Sequence, residues 1–172
     1  KIGATGDTEK AYEVGKTIGT DIGELGFNLD FAPVADVFSN PNNTVIGNRA
    51  FGSDPELVAT MVEACVKGFK DSGTMCTLKH FPGHGDTAED SHVGIARSGK
   101  TAEELAACEL LPFCAGMEAG ARMVMVGHIT LPQLDPAAPA TLSPVIVTQL
   151  LRGALGFDGV VGVSVSDTPV DG

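Results

Sequence analysis

Helical and strand-like patterns alternate four times along this chain, and the alternation restricts its fold more than any other feature. The first helix is predicted to begin after Asp7 or Thr8, either of which can cap it, and to end near Gly26. Apolar residues recur every three or four positions, as on one face of a helix: Ala11, Val14, Ile18, Ile22 and Leu25. The segment FNLDFAPVADV, residues 27–37, is then predicted to be a strand.

Three more helix–strand pairs complete the pattern. Asp54 before Pro55 is typical of a helix start, and Thr101 with Glu104 forms a predicted capping box. The remaining helices are predicted at 53–69, 100–113 and 143–155, and the remaining strands at 74–80, 122–128 and 159–167. Strands that alternate with helices indicate a parallel sheet, because each helix returns the chain to the edge where the next strand starts.

The connections that leave the predicted strands are much longer than those that enter them, and span about residues 38–54, 81–100 and 128–143. In α/β proteins, sites gather where such connections leave the carboxyl ends of the strands. Most candidate polar groups fall there: His80, His84, Asp86, Asp90, His92, Arg49, His128 and Asp167. We therefore expect the functional face at this edge of the sheet.

The length fits one domain, residues 1–172. Four strand–helix units are half of a (β/α)8 barrel of the TIM type, which typically takes about 250 residues. The pattern alone fits either a partial barrel or a small doubly wound α/β sheet.

Charge and cysteine usage restrict the partners and the compartment. A net charge of −11 argues against binding nucleic acid or an anionic membrane surface, and no apolar run is long enough to span a bilayer. The chain starts at Lys1 rather than Met, which suggests a segment of a longer protein and leaves export open. The cysteines show no CxxC spacing and favour a reducing compartment, so a cytoplasmic location is expected: Cys65, Cys76, Cys108 and Cys114.

The stretch KHFPGHGDTAEDSH, residues 79–92, allows three interpretations. Its histidines and aspartates are metal-ligand types, but the loop's glycines and proline do not give the spacing of a well-specified metal motif. A polar surface loop does not account for Lys79 and His80 at a strand end. Proton transfer fits better, because Asp90 and His92 point the same way if the segment is extended. A carboxylate beside an imidazole favours its protonated form, which suits an acid near neutral pH.

The same stretch resembles the signature loop of glycoside hydrolase family 3, in its β-N-acetylhexosaminidase branch. Further segments resemble that family in the same order: FNLDFAPVADV, NPNNTVIGNRAFGSDPELVA, HITLPQLD, PATLSPVIVTQLLRGALGFDGVV and the SD of residues 166–167. The family's fold is a (β/α)8 barrel. The resemblance therefore implies that this chain is the latter part of a barrel whose first strands are missing.

The resemblance also implies roles for individual residues. Asp167 matches the nucleophile, His92 the acid/base and Asp90 its dyad partner, with no metal and no cofactor. Residues that match ligands of sugar hydroxyls are Lys79, His80 and Arg49.

Other polar residues of the matching segments are expected to be supporting groups. We assign structural or supporting roles to His84, Asp86 and His128, and interpret Asp36 as a structural acid at a strand end. The family usually reads Ser-Asp-Asp-Leu near the end of the match, whereas this chain reads SVSDTPVDG, where Asp171 is a weak substitute for the nucleophile.

The implied activity is that of a retaining exo-β-N-acetylglucosaminidase acting on a small carbohydrate, such as a muropeptide- or chitin-derived sugar. Three alternatives stay open: a phosphorylase of the same family, an inactive sugar-binding fragment and, more remotely, a metal-dependent hydrolase. Missing strands would leave open sheet edges, which self-association or the other part of the barrel would cover.

Overall fold

The computed structural model describes residues 2–87 and 96–163. Its α-helices are α1 (Thr8–Glu24), α2 (Pro55–Ser72), α3 (Ala102–Ala107) and α4 (Leu110–Ala119), followed by a π-helix at Val145–Ala154. Short 3-10 helices lie at Ile2–Thr5, Gly47–Arg49 and Ala140–Leu142. The strands are β1 (Thr77–Phe81), β2 (Ala96–Arg97), β3 (Met123–Val126), β4 (Ile129–Thr130) and β5 (Val160–Val163). None of the helices in the described ranges is long and apolar enough to cross a bilayer.

The central sheet has the order β1-β3-β5, and both of its pairings are parallel. A second, two-stranded sheet pairs β2 with β4, also in parallel. The predicted α/β class with a parallel sheet is therefore confirmed. Of the last predicted strand, residues 160–163 form β5, and residues 164–172 lie outside the described part.

The first predicted strand, residues 27–37, is an extended segment rather than a regular strand. It still lies beside β1 in parallel, through single bridges such as Val34 with Lys79. The backbone N–H of Ala35 donates to the carbonyl oxygen of Lys79 at 2.7 Å. Pro33 has no N–H to donate, which interrupts the ladder and explains the departure from a regular strand. This segment forms the outer neighbour of β1.

Helix α1 fully buries only Ala11 of the predicted apolar stripe. The predicted stripe included Ile18 and Leu25, but these side chains are 37% and 76% exposed. The buried residues of α1 are Ala11, Gly15 and Gly19. The prediction was right for Ala11 and wrong for Ile18 and Leu25, because the contact with α2 selects small residues instead of large apolar ones.

Helices α1 and α2 approach each other almost backbone to backbone. A Cβ atom built on Gly15 would lie 2.2 Å from the carbonyl oxygen of Cys65. A Cβ atom on Gly68 would lie 2.1 Å from the carbonyl oxygen of Tyr12. Neither position leaves room for a side chain, so the two glycines set the distance between the helices.

The predicted helix at 100–113 is divided in two. The capping box is present, since Thr101 accepts from the backbone N–H of Glu104 and the Glu104 side chain accepts from that of Thr101. The helix then breaks at Cys108, whose φ of −138° and ψ of −79° are not helical. Pro112 lies four residues later, and its ring would clash with the carbonyl of Cys108 in a continuous helix. The predicted helix at 143–155 is confirmed, with π-type hydrogen bonding over most of its length.

The core lies between the central sheet and the helices that cover it. Leu78 of β1, Val124 of β3, Phe69 of α2 and Phe113 of α4 are fully buried. The rings of Phe81 and Phe113 meet edge to face, with centroids 5.3 Å apart. This packing fixes β1 against the helices and so fixes the position of the residues that follow it.

We expect Gly68→Ala to lower the free energy of unfolding by roughly 1–3 kcal/mol, because the added methyl group forces α1 away from α2. Gly153→Ala is the matched control: Gly153 is exposed, and its Cβ would meet only the carbonyl oxygen of Thr148 at 3.4 Å. Urea unfolding measures both variants. Equal free energies for the two variants would contradict a close-packed helix pair.

Candidate functional site

The carboxyl ends of the central strands carry the predicted polar face. Lys79 and His80 lie near the end of β1, and His84 follows that strand. His128 follows β3, which runs parallel to β1. The histidines of the described residues therefore lie at one edge of the sheet, as predicted.

Asp36, at the end of the extended segment, is the centre of a hydrogen-bonded cluster at this edge. Its side chain is fully buried. The Nδ1 atom of His80 lies 2.8 Å from Asp36 Oδ2, and the backbone N–H of His80 donates to Oδ1 at 3.1 Å. The backbone N–H of His84 donates to the same Oδ1 at 2.7 Å. One carboxylate thus holds both the end of β1 and the turn after it.

The pKa of Asp36 lies below its ordinary value. Burial alone raises this pKa, but the positive charge of His80 and the hydrogen bonds from His80 and His84 outweigh burial. The carboxyl group is therefore ionised at neutral pH.

Lys79 and Arg49 bring two positive charges near each other. Burial lowers the pKa of the partly buried Lys79 side chain, and the positive charge of Arg49 lowers it further. Asp30 and Asp36 oppose this shift. The Arg49 guanidinium is exposed and donates from Nε and Nη2 to the carbonyl oxygen of Val45, at 3.2 and 2.9 Å. Two neighbouring cations can bind an oxygen-rich ligand.

The sequence did not predict a second polar cluster, which joins Glu109 to residues that lie on either side of positions 88–95 and to one residue that precedes α2: Asp86, Ser98, Lys100 and Ser39. Glu109 is fully buried, accepts from Lys100 Nζ, and accepts from Ser39 Oγ at 3.2 Å. At the same place, Ser98 Oγ donates to Asp86 Oδ2 at 2.8 Å. An acidic residue inside the apolar run from Leu105 to Phe113 was the one available signal for this cluster.

The neighbouring carboxylates of Glu109 and Asp86 stabilise the positive charge of Lys100. Burial lowers the pKa of Lys100, but the hydrogen bond to Glu109 and the charges of Glu109 and Asp86 outweigh it, so the pKa is raised. Lys100 therefore stays protonated at neutral pH.

The other two histidines of this edge take part in local contacts. The Nδ1 atom of the buried His84 lies 2.7 Å from Thr87 Oγ1, and its carbonyl oxygen accepts from Asn43 Nδ2 at 2.7 Å. The Nδ1 atom of His128 lies 3.1 Å from Thr141 Oγ1. These contacts agree with the supporting roles expected for both residues.

Three predicted catalytic residues, Asp90, His92 and Asp167, lie outside the described residues, as does Asp171. Within residues 2–87 and 96–163, no group of three or more His, Cys, Asp or Glu side chains is arranged to hold a metal ion. Lys79 and His80 are neighbours near the end of β1, and Arg49 is close enough for its charge to lower the pKa of Lys79. The roles of the six predicted site residues remain predictions: Asp167, His92, Asp90, Lys79, His80 and Arg49.

Comparisons with known proteins identify relatives of the whole chain. The model of the glycosyl hydrolase family 3 N terminal domain matches residues 1–169. A β-hexosaminidase of Stenotrophomonas maltophilia is 46% identical over 142 residues, which are 83% of this chain and 42% of that protein. This chain therefore spans less than half the length of that curated relative.

Solved structures agree in fold. A family 3 β-N-acetylglucosaminidase from Paenibacillus is 46% identical with a TM-score of 0.93, over 95% of this chain and 31% of that one. A β-glucoside phosphorylase is 29% identical with a TM-score of 0.90, over the same shares of the two chains. Together with the family match, these structures confirm the predicted fold class, a partial barrel of the (β/α)8 type.

Replacing Lys100 by Met should leave the buried Glu109 carboxylate without its cation. Loss of one member of a buried ion pair typically costs about 3–5 kcal/mol. We expect the double variant Lys100→Met, Glu109→Gln to recover much of that loss, because it also removes the stranded charge. The exposed pair of Lys10 with Asp7 is the control, and Lys10→Met should change the free energy of unfolding little. A double-mutant cycle by urea unfolding that gives no coupling between Lys100 and Glu109 would contradict this view.

Acid should weaken the contribution of Asp36 to stability. Because its folded pKa lies below the ordinary 3.8, the stabilisation is present above about pH 4 and is lost as pH falls through the folded value. The difference in free energy of unfolding between the wild type and Asp36→Asn should therefore shrink below about pH 4. Asp21→Asn, an exposed change on α1, measures the effect of simply losing one negative charge. A difference that stays constant down to the lowest measurable pH would speak against an ionised Asp36.

Proposed function

Because the chain belongs to the family of glycosyl hydrolase family 3 N-terminal domains, we propose that it supplies part of the active site of a retaining glycosidase. The proposed reaction removes terminal β-linked N-acetylglucosamine from a small carbohydrate. The names of its relatives, a β-hexosaminidase and a β-N-acetylglucosaminidase, support this substrate class.

The observation that carries the proposal is the pairing of Lys79 and His80 at the carboxyl end of β1, with Arg49 close enough to act on the charge of Lys79. Both Lys79 and Arg49 can donate to sugar hydroxyls, and His80 can donate or accept depending on its proton. A sugar ring presents several hydroxyl groups on neighbouring carbons. Donors on a rigid strand end and a nearby helical turn suit such a ligand.

We propose that Asp167 is the nucleophile and that His92 is the acid/base. The Asp167 carboxylate would attack the anomeric carbon and form an ester bond, while the bond to the leaving oxygen breaks and His92 gives that oxygen a proton. Water would then attack the ester, pass a proton to His92 and release Asp167. Asp90 would orient the imidazole and favour its charged form.

Phosphate is a second candidate acceptor, because one structure of similar fold is that of a β-glucoside phosphorylase. Attack by phosphate on the glycosyl ester would give a sugar 1-phosphate instead of the free sugar. Product analysis in phosphate buffer separates these two outcomes. An inactive sugar-binding fragment would give neither product but would still bind the sugar.

Exposed apolar side chains support the proposal that the sheet edges are covered in the working protein. Phe27, Phe31 and Met75 are exposed on and beside the extended segment, and Val160 and Val163 are exposed on β5. Residues 1–172 would then be one partial barrel domain. Either the other part of a barrel or a second copy would bury these side chains.

Replacing His92 by Ala should lower kcat/KM most for substrates whose leaving group needs a proton. A nitrophenolate leaves with little help, whereas a sugar alcohol does not, and loss of a general acid typically costs on the order of 10²–10⁴-fold. We expect kcat/KM to fall far more for a disaccharide of N-acetylglucosamine than for its nitrophenyl glycoside. Asp90→Ala should follow the same pattern more weakly.

Asp167→Ala is the matched comparison, because a nucleophile is needed whichever group leaves. It should abolish turnover of both substrates about equally. The assay is run on this chain and, where the chain is part of a longer enzyme, on that enzyme. Equal losses for both substrates in His92→Ala would mean that His92 is not the acid.

A further inference from the structure

We propose that Asp36 is a positioning residue that fixes His80 in the tautomer with its proton on Nδ1, so that Nε2 is the ring atom offered to the substrate. The inference rests on the proposed function, because it specifies how His80 meets a sugar hydroxyl. Asp36 itself is fully buried and does not contact the substrate in this view.

The first argument is that the two carboxylate oxygens of Asp36 have different partners. Oδ1 accepts from the backbone N–H groups of His84, at 2.7 Å, and of His80, at 3.1 Å. Oδ2 lies 2.8 Å from Nδ1 of the His80 ring and 3.2 Å from the His80 backbone nitrogen. The ring contact is therefore made by Oδ2, and the turn after β1 is held by Oδ1.

The second argument is the charge of Asp36. The hydrogen bonds and the histidine charge hold the pKa of its carboxyl group below the ordinary value despite burial. An ionised carboxylate accepts hydrogen bonds and cannot donate one. At 2.8 Å, the hydrogen atom between the two groups must belong to Nδ1. When the charged ring loses a proton, it loses the one on Nε2, because Nδ1–H stays bound to the carboxylate. The Nε2 atom of the neutral ring then accepts a hydrogen bond from a hydroxyl group.

The third argument is the fixed orientation of the ring. The rings of His80 and His84 meet edge to face at 5.9 Å. A Cβ atom built on Gly127 would lie 3.2 Å from the Cβ of His80, so the neighbouring chain approaches closely there. With Nδ1 held by Asp36, rotation of the ring by half a turn would break the Oδ2 contact. The His80 ring, and with it the position of Nε2, is therefore fixed in one orientation.

Asp36→Asn tests the tautomer without removing the support of the backbone. The amide oxygen can take the place of Oδ1 and keep both backbone contacts. The amide nitrogen then takes the place of Oδ2 and donates to the ring, so Nδ1 must accept and the proton must move to Nε2. The reverse orientation would place the amide nitrogen 2.7 and 3.1 Å from two backbone N–H groups, instead of 3.2 Å from one, and is disfavoured.

The measurement is nitrogen-15 NMR of the protein labelled at histidine, with the pH raised until the ring nitrogens of His80 give the signals of a neutral imidazole. We expect His80 to be protonated at Nδ1 in the wild type and at Nε2 in Asp36→Asn. His128, whose Nδ1 contacts Thr141, is the internal reference and should not change. A wild-type His80 protonated at Nε2, or an unchanged tautomer in the variant, would overturn the proposal. The wild-type spectrum alone gives this answer if the variant does not fold.

Kinetics then test the consequence for the substrate. Groups that orient metal-bound histidines through the second ring nitrogen typically cost about 10–100-fold in affinity or activity when they are replaced, and we take that range as the scale for His80. We expect Asp36→Asn to lower kcat/KM on an N-acetylglucosaminide by a factor of that order. A switched tautomer with unchanged kcat/KM would overturn the link to the substrate. If neither protein hydrolyses the glycoside, in the longer enzyme where the chain is part of one, but the tautomer switches as expected, the proposed function fails while the positioning role of Asp36 stands.

Discussion

Strand β1 pairs in parallel with a neighbour on each side, and the position of the polar edge depends on this pairing. The extended segment before α2 lies on one side of β1 and β3 lies on the other. Because all of these chains run in the same direction, their carboxyl ends meet at one edge. Lys79 and His80 therefore owe their position to backbone hydrogen bonds, and Asp36 reaches His80 because its own segment ends at the same edge.

Features that depend on neighbours in sequence could be predicted well. Asp7 and Asp54 cap their helices, and the capping box of Thr101 with Glu104 forms, because each of these contacts spans two or three residues. The buried face of α1 could not be predicted in this way. Its apolar stripe indicates a helix, but a tertiary contact at Gly15 decides which side is buried.

In the site, too, local features could be predicted and distant contacts could not. The predicted strand that ends in Lys79 and His80 indicated where the polar edge lies. The family resemblance predicted the barrel. The partner of His80 could not be predicted, since Asp36 lies 44 residues earlier and spacing carries no contact information over that distance. The contact of Lys100 with Glu109 was missed although it is local, because a fully buried acidic side chain in an apolar run is uncommon. The roles of Asp90, His92 and Asp167 stay predictions.

The hydrogen bond between Asp86 and Ser98 has a consequence for how such a protein can diversify. It holds two points of the chain together at the sheet edge, independently of the residues between them. For a chain segment whose two ends are already held close together, doubling the length typically costs only about 0.6 kcal/mol of closure entropy. Evolution could therefore lengthen, shorten or exchange the residues between Asp86 and Ser98, while the parallel strands and the hydrogen bonds around Asp36 stay as they are.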